Sequence, residues 1–462
     1  MKHRKILIII ATFFLGYSLF FSTRVSASEP YHLGVALGLS GTGAPYTEEA
    51  VKAIEIAANE INAKGGLLGK HPIKLFIRDT QTNPKVAVQV VKHLIENEKV
   101  RCVIGTYSSA CAITIKPICR SNKVLHIATI SNSEDITKID FSPYTFSVVP
   151  NTYMMAKGVV MGLADLVQKK GWKKYATIAS DYAWGRSSQK IQVALLKQIA
   201  PQLELVGEYW PPLGQIQFNS FIIAMMAKKP DFVLGTIGGA DNAFFMRDAR
   251  DYRFFKKVEY PGGLISVSEL IRQATSIRRG RYGRCRAPFF AHLNIPMMAR
   301  FVENYHAKYD RYPSDWAVMS YDGVYALKQG VEKAKSIDSE KVKDAMKGIA
   351  IDTTRGRLYF RAIDNQLNCS AYFGRVADDP KYPFPIYHEL LELKGEEIWR
   401  PEQTKHDTGR LVTMTVPLES QSPGTKQQFE ITIWANGSLE DAGYRATLFS
   451  RLIDESETAI IS

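Results

Sequence analysis

From Tyr31 onward the chain repeats one pattern, a short β-rich run followed by an amphipathic stretch, and this alternation restricts the fold more than any other feature. Strand-like runs at 32–37, 73–78, 101–104 and 125–127 are separated by helical stretches at 47–63, 84–97 and 109–121. Such a series builds βαβ units, in which helical crossovers join parallel strands and cover the sheet. Local signals agree. Val51, Ile54, Ala58 and Ile61 recur at helical spacing, Asn62-Ala63-Lys64-Gly65-Gly66 stops that helix, and Asn83 with Pro84 starts the next. After 144–149 the alternation begins again, with strands at 175–179, 203–209, 232–237 and 257–260 and helices near 152–169, 187–199, 219–228 and 240–251.

From Pro296 no third series starts. Helices at 298–309, 320–335 and 341–348 and strands at 356–360 and 371–376 complete the two earlier units. The expectation is an α/β fold of two Rossmann-like lobes with parallel central sheets, joined by a hinge of several chain crossings. Residues 28–147 with about 285–355 form lobe 1, and 148–284 with about 356–400 form lobe 2. Residues 401–462 are a C-terminal extension to which the pattern gives no structure, although 429–434 alternates and 420–426 is rich in turn formers.

A chain of 462 residues, 45% hydrophobic and 23% charged, has ample material for a core, which excludes general disorder. Lys2, Arg4 and Lys5, the apolar run 6–21 and Val25-Ser26-Ala27 have the layout of a cleaved export signal over residues 1–27. An uncleaved anchor is the rival, but the run is short of the roughly 20 residues that a bilayer demands. No later segment is apolar enough to span, so the expected mature protein is a soluble monomer in the periplasm. Losing the leader removes four of the basic residues behind the net charge of +13, which leaves a basic protein. An exported chain seldom meets nucleic acid, so solvated surface charge is the default reading. Five cysteines, Cys102, Cys111, Cys119, Cys285 and Cys369, suggest one or two disulfides and a leftover thiol, with Cys102 and Cys119 in reach of each other. Their spacing fits no metal site, and neither a metal nor a cofactor is expected.

Three strand-to-helix junctions can hold a ligand. Gly38-Leu39-Ser40-Gly41-Thr42-Gly43 offers backbone N–H groups at the mouth of the sheet, but its spacing is not the dinucleotide GxGxxG. Ile104-Gly105-Thr106-Tyr107-Ser108-Ser109-Ala110 sets hydroxyls at a helix start, which suits a carboxylate, against the commoner use of such a serine as a cap. Ser180-Asp181-Tyr182-Ala183-Trp184-Gly185-Arg186-Ser187 places a Trp at a loop tip, where it packs on a neighbour or stacks on a ligand. The cluster Arg272, Arg278, Arg279, Arg281, Arg284 and Arg286 lacks interleaved aromatics and reads as an exposed, solvated loop, or else as a basic docking face. Catalysis has no support: GxSxG is missing, the nine histidines are scattered, and Asp378-Asp379 lies in a Pro-rich loop.

Several of these residues carry a family likeness. Ser40-Gly41, Glu60-Ile61-Asn62-Ala63-Lys64-Gly65-Gly66-Leu67-Leu68-Gly69, Arg78-Asp79-Thr80-Gln81-Thr82-Asn83-Pro84, Ser108-Ser109, Asp181-Tyr182-Ala183-Trp184-Gly185 and Tyr321-Asp322-Gly323-Val324 resemble the periplasmic leucine/isoleucine/valine-binding proteins over about residues 30–400. The resemblance implies the type I periplasmic binding fold, a non-enzymatic protein that traps a small ligand between lobes and delivers it to the membrane subunits of an ABC importer. By position, Tyr46, Ser108, Ser109, Ile130, Ser131 and Asn132 should line the cleft from lobe 1, with Ser109 on the ligand carboxylate. Trp184, Gly238 and Gly239 should face them from lobe 2.

One position departs from the pattern. Where amino-acid binders of this family place an acid opposite the ligand ammonium, this chain has Leu264, and a buried ammonium without a counter-charge is costly. A plain amino acid therefore needs Asp241 or Glu269 as a substitute; an amide or an aromatic or aliphatic carboxylate is the alternative ligand. Two rivals stand beside transport: a ligand-sensing receptor of the same fold, and an exported α/β hydrolase.

Overall fold

The computed structural model describes residues 29–400, with the backbone of 410–418 and 427–435. The leader with its cleavage site and the 420–426 stretch lie outside the described residues. The chain divides into two compact units, 1–399 and 400–462.

In the larger unit, β1 (Tyr31–Leu37), β2 (Ile73–Asp79), β3 (Cys102–Gly105), β4 (Leu125–Ala128) and β5 (Thr145–Ser147) form one parallel sheet in the order β2-β1-β3-β4-β5. β3 and β4 are buried at every residue, because helices cover both faces of a parallel sheet. The crossovers are α1 (Ala44–Asn62), α2 (Pro84–Glu96) and α3 (Ser109–Ser121), with a single turn α4 (Asp135–Lys138) before β5. Asn83 caps α2 as its position requires, its side chain accepting from the Lys85 and Val86 N–H groups.

The second series begins with α5 (Thr152–Lys170), capped by Asn151. It continues through β6 (Lys174–Ala179), α6 (Ala183–Ile199), β7 (Glu204–Tyr209), α7 (Asn219–Ala227), β8 (Phe232–Thr236) and α8 (Gly239–Asp251), with sheet order β7-β6-β8. The 257–260 run contributes only a parallel bridge between Glu259 and Phe232. Pro261, which has no N–H, and the Gly262-Gly263 turn end it at once.

The remaining elements are α9 (Val267–Arg272), β9 (Tyr282–Cys285), α10 (Pro296–Tyr309), α11 (Asp315–Ala334), α12 (Ser339–Met346), β10 (Ala350–Thr353), β11 (Gly356–Tyr359), β12 (Ala371–Ala377), β13 (Ile386–Leu393) and α13 (Gly395–Ile398). β9, β12 and β13 form an antiparallel sheet that packs against α5, while α10 and α11 pack on α1. In the smaller unit β14 (Arg410–Leu418) pairs antiparallel with β15 (Gln427–Ala435), and the alternating run 429–434 falls in β15.

Two sequence expectations fail. The five cysteines are all free and buried, packed as small apolar groups; burial pushes the Cys119 thiol up to about 12 and the Cys102 thiol well above its usual value. The arginine-rich stretch is solvated only in its first half: Arg272, Arg278 and Arg279 are exposed, whereas Arg281, Arg284 and Arg286 expose only 7%, 2% and 4% of their surface. Gly283, Cys285 and Ala287 alternate with Arg284 and Arg286 along β9 and the buried bend after it, and the guanidinium groups settle on carbonyl oxygens and aromatic faces.

A buried ion pair ties α11 to the crossing after β5. Asp322 accepts from Arg355 Nε at 2.8 Å and from the Thr354 N–H and hydroxyl, and Arg355 also donates to the Val148 carbonyl at 2.8 Å. Asp322→Ala strands the buried guanidinium, with an expected cost of about 3–5 kcal/mol; urea denaturation measures it, and a loss below about 1 kcal/mol would show that the pair is dispensable.

Burial pulls the imidazoles of His126 and His292 down to about 4. Both stay neutral in the folded chain, whereas the unfolded chain protonates them near 6.5, so the unfolded state binds more protons between those values and stability falls as pH drops through that window. Denaturation midpoints between pH 7 and 4.5 test this, and His126→Gln should flatten the acid limb.

Candidate functional site

The carboxyl ends of four parallel strands, two from each sheet, meet at one cavity. β3 leads through Thr106-Tyr107-Ser108 into α3, β4 into the loop 129–133, β6 into α6, and β8 through Ile237-Gly238 into α8. Open α/β sheets bind ligands at such ends, where helix N–H groups point outward. Glycine is needed at two of these turns. A Cβ on Gly105, φ +143°, would lie 2.1 Å from the Ala36 carbonyl oxygen, and one on Gly239, φ +67°, would lie 2.5 Å from the Thr42 carbonyl oxygen.

The cavity is narrow and opens to solvent, with about 290 Å³ of space free of protein atoms when the solvent at its mouth is included. Tyr107, Ser109, Ile130, Ser131 and Asn132 line it from one side; Tyr182, Trp184, Gly238 and Gly239 line it from the other. Leu264, Arg286 just after β9, and Trp316 in the first turn of α11 complete it. The structure thus brings together all but two of the residues singled out in the sequence. Tyr46 lies behind the wall, its hydroxyl donating to the Gly239 carbonyl at 3.2 Å and to Glu269. Ser108 is buried at the start of α3, makes no side-chain cap and does not line the cavity.

Ser109 Oγ accepts from the Asn132 and Ser133 N–H groups at 3.3 and 3.1 Å, which leaves its own O–H to donate. Ser131 Oγ is buried without a protein partner on the same wall. The cation that sequence reasoning missed is Arg286. It donates to the Ile130 carbonyl at 2.8 Å and to Asn132 Oδ1 at 3.0 Å, and lies 4.7 Å from the Trp316 ring centre and 5.9 Å from that of Trp184. Its Nε has no partner. Burial pulls this guanidinium down to about 10, and Asp315 opposes the shift. Asp315 does not clamp the guanidinium: it accepts instead from the backbone N–H groups of Val267, Arg286 and Ala287 at 2.9, 2.7 and 3.2 Å.

Neither carboxyl group considered as an ammonium partner lines the cavity. Asp241 accepts from Thr42 Oγ1 at 2.7 Å and from the Gly214 N–H at 2.8 Å; burial raises its pKa, against those bonds. Glu269 accepts from Tyr46 and closes a capping box with Ser266, and burial raises its pKa too. The glycine-rich turn is also committed, since Asp79 accepts from the Leu39 and Ser40 N–H groups and the Ser40 hydroxyl. Among the described residues no group of His, Cys, Asp and Glu could hold a metal, and no helix is long and apolar enough to cross a membrane.

A family model described as "Periplasmic binding protein" matches residues 30–381. A Leu/Ile/Val-binding protein homolog 7 from Brucella suis is 24% identical over 335 residues, covering 71% of this chain and 83% of its own length. Among solved structures, a periplasmic binding protein from Burkholderia mallei superposes with a TM-score of 0.71 at 21% identity, over 80% of this chain and 96% of its own. A solute-binding protein of an ABC transporter from Rhodopseudomonas palustris, in complex with 3,4-dihydroxybenzoic acid, gives 0.69 at 21% identity, over 80% and 99%. The sheet order, the two-lobed fold and the length of the match agree: the chain belongs to the periplasmic binding protein family.

Proposed function

We propose that this chain is the extracytoplasmic solute-binding component of an ABC importer, and that its ligand is a small carboxylic acid without an ammonium group, with an aromatic acid fitting best. The observation that carries this reading is Arg286 in a cavity that no acidic side chain lines. A bound carboxylate would receive the Ser109 and Ser131 hydroxyls and Arg286 Nε, three donors left free by the protein. An amino acid would bury its ammonium beside a guanidinium and Leu264, at a cost of several kcal/mol. Trp184, Trp316, Tyr107 and Tyr182 supply the walls for an aromatic body. The aromatic acid held by the Rhodopseudomonas palustris protein supports the same ligand class, and the leader at 1–27 supports export. The hydrolase reading finds no base: the hydrogen bonds that Ser109 Oγ makes come from the backbone.

The mechanism in this proposal is hinge closure between lobe 1 (28–147 with about 285–355) and lobe 2 (148–284 with about 356–400). The bonds of Asn365 to the Thr145 carbonyl and of Gln366 to the Val149 carbonyl, with the Ser147–Gln366 bridge, favour a third crossing nearer 367 than 356. Closure stabilises the complex through contacts that span the cleft, Thr42 to Asp241 and Tyr46 to the Gly239 carbonyl among them.

Calorimetry with benzoate, hydroxybenzoates and leucine tests the ligand class. We expect an aromatic acid to bind and leucine to give no heat, with Arg286→Met weakening the acid by about 2–5 kcal/mol; tighter binding of leucine than of every aromatic acid would overturn the proposal. For closure, Gly239→Ala drives a methyl group into the Thr42 backbone, so small-angle scattering should give a larger radius of gyration, and an unchanged radius speaks against a closing contact there.

A further inference from the structure

The arginine-rich stretch leaves two buried cations that the cleft does not use: Arg284, which donates to the Gly235 carbonyl and Thr236 Oγ1, and Arg281, whose guanidinium finds only a sulfur. Arg281 is 93% buried, from an exposure of 7%, and stands at the start of β9, where the Val376 N–H donates to its carbonyl. Its guanidinium carbon lies 4.5 and 4.8 Å from the ring centres of Phe255 and Tyr260, and its terminal nitrogens face the Met246 sulfur at 3.7 and 3.8 Å. Its Nε has no hydrogen-bond partner. Aromatic faces and a thioether compensate a buried charge only in part. Glu259 supports the charge from a distance and lines, together with Arg281 itself, a neighbouring pocket that Lys170 and Trp172 share; Glu269 meets Arg281 in a third, small one, but neither acid hydrogen-bonds to it.

Arg281 forms one wall of a separate, solvent-open pocket between α8, the Phe254–Lys256 turn and the chain after α9, with about 620 Å³ of space free of protein atoms when the solvent at its mouth is included. Arg250, Arg253, Lys256 and Arg278 line it with Arg281, and no acidic side chain does. The first four are exposed and screened by solvent and salt, whereas Arg281 is not. Met246, Ala249 and Phe255 give the wall an apolar part, and Gln273 and Ser276 complete it. None of these residues lines the interlobe cavity.

We propose that this cavity is a second ligand site, which takes an organic anion: a phosphate, sulfate or carboxylate head on Arg281 and the surrounding cations, with an apolar body against Met246 and Phe255. A small hydrated anion gains only the screened rim charges, and a neutral aromatic leaves Arg281 unpaired. The combination of head and body is what the wall selects.

The test uses phenyl phosphate, with inorganic phosphate and benzyl alcohol as the two partial probes, in calorimetric titrations of the full chain. Wild-type protein should bind phenyl phosphate at least tenfold more tightly than either partial probe. Arg281→Met keeps the bulk and removes the charge, and the exposed pair Arg253→Ala/Lys256→Ala leaves the buried packing alone, so that a misfolded Arg281 variant does not decide the matter. Each should weaken phenyl phosphate at least tenfold. No binding to wild type, or equal affinity in wild type and the Arg253/Lys256 double variant, overturns the proposal.

Discussion

Arg286 is fixed before any ligand arrives. Asp315, at the start of α11, holds the backbone of Arg286 and Ala287 and that of Val267, so one carboxylate joins three separate stretches of chain. The guanidinium then reaches across to Ile130 and Asn132, whose loop is pinned by Ser109. A buried cation with carbonyl partners and no ion pair is poorly compensated until an anion joins it. That imbalance turns the meeting of four strand ends into a site with a preferred charge. A positioned donor set also lowers the ordering cost of binding.

The same economy explains why the acids near the cleft are not ligand partners. Asp241 is drawn into a contact with Thr42 on the opposite side, and Glu269 is consumed by Tyr46 and by the cap of α9. Each has its burial partly offset by protein hydrogen bonds. Leu264 stands in the cavity wall, apolar where an ammonium would need a charge.

Much of this was legible in the sequence because local chemistry governs it. Ser109 to Ser121 is a helix at both ends as read, and the Asn83 cap is where the Asn-Pro pair put it. Trp184, Ser109, Asn132 and Gly238 converge because strand ends in a parallel sheet must share one edge. Tyr46 was misplaced by one layer, a distance that position along a helix cannot resolve. The arginines were harder. Charge argued for solvent, and only tertiary contacts with Trp316, Phe255 and Tyr260 show how a guanidinium is tolerated inside. The signal that could have found them is the alternation with Gly283, Cys285 and Ala287, which has the period of a buried strand. Ser266 followed by Glu269 was likewise a readable capping box, and it would have withdrawn Glu269 from the ligand earlier.

The most direct measurement is a crystal structure of the protein with the ligand it carries from its native host. The account predicts a single carboxylate within hydrogen-bond distance of Ser109 Oγ and of the Arg286 guanidinium, with no ammonium group in the cavity. A ligand whose ammonium occupies that position, or one bound with Arg286 turned away from it, would contradict the account.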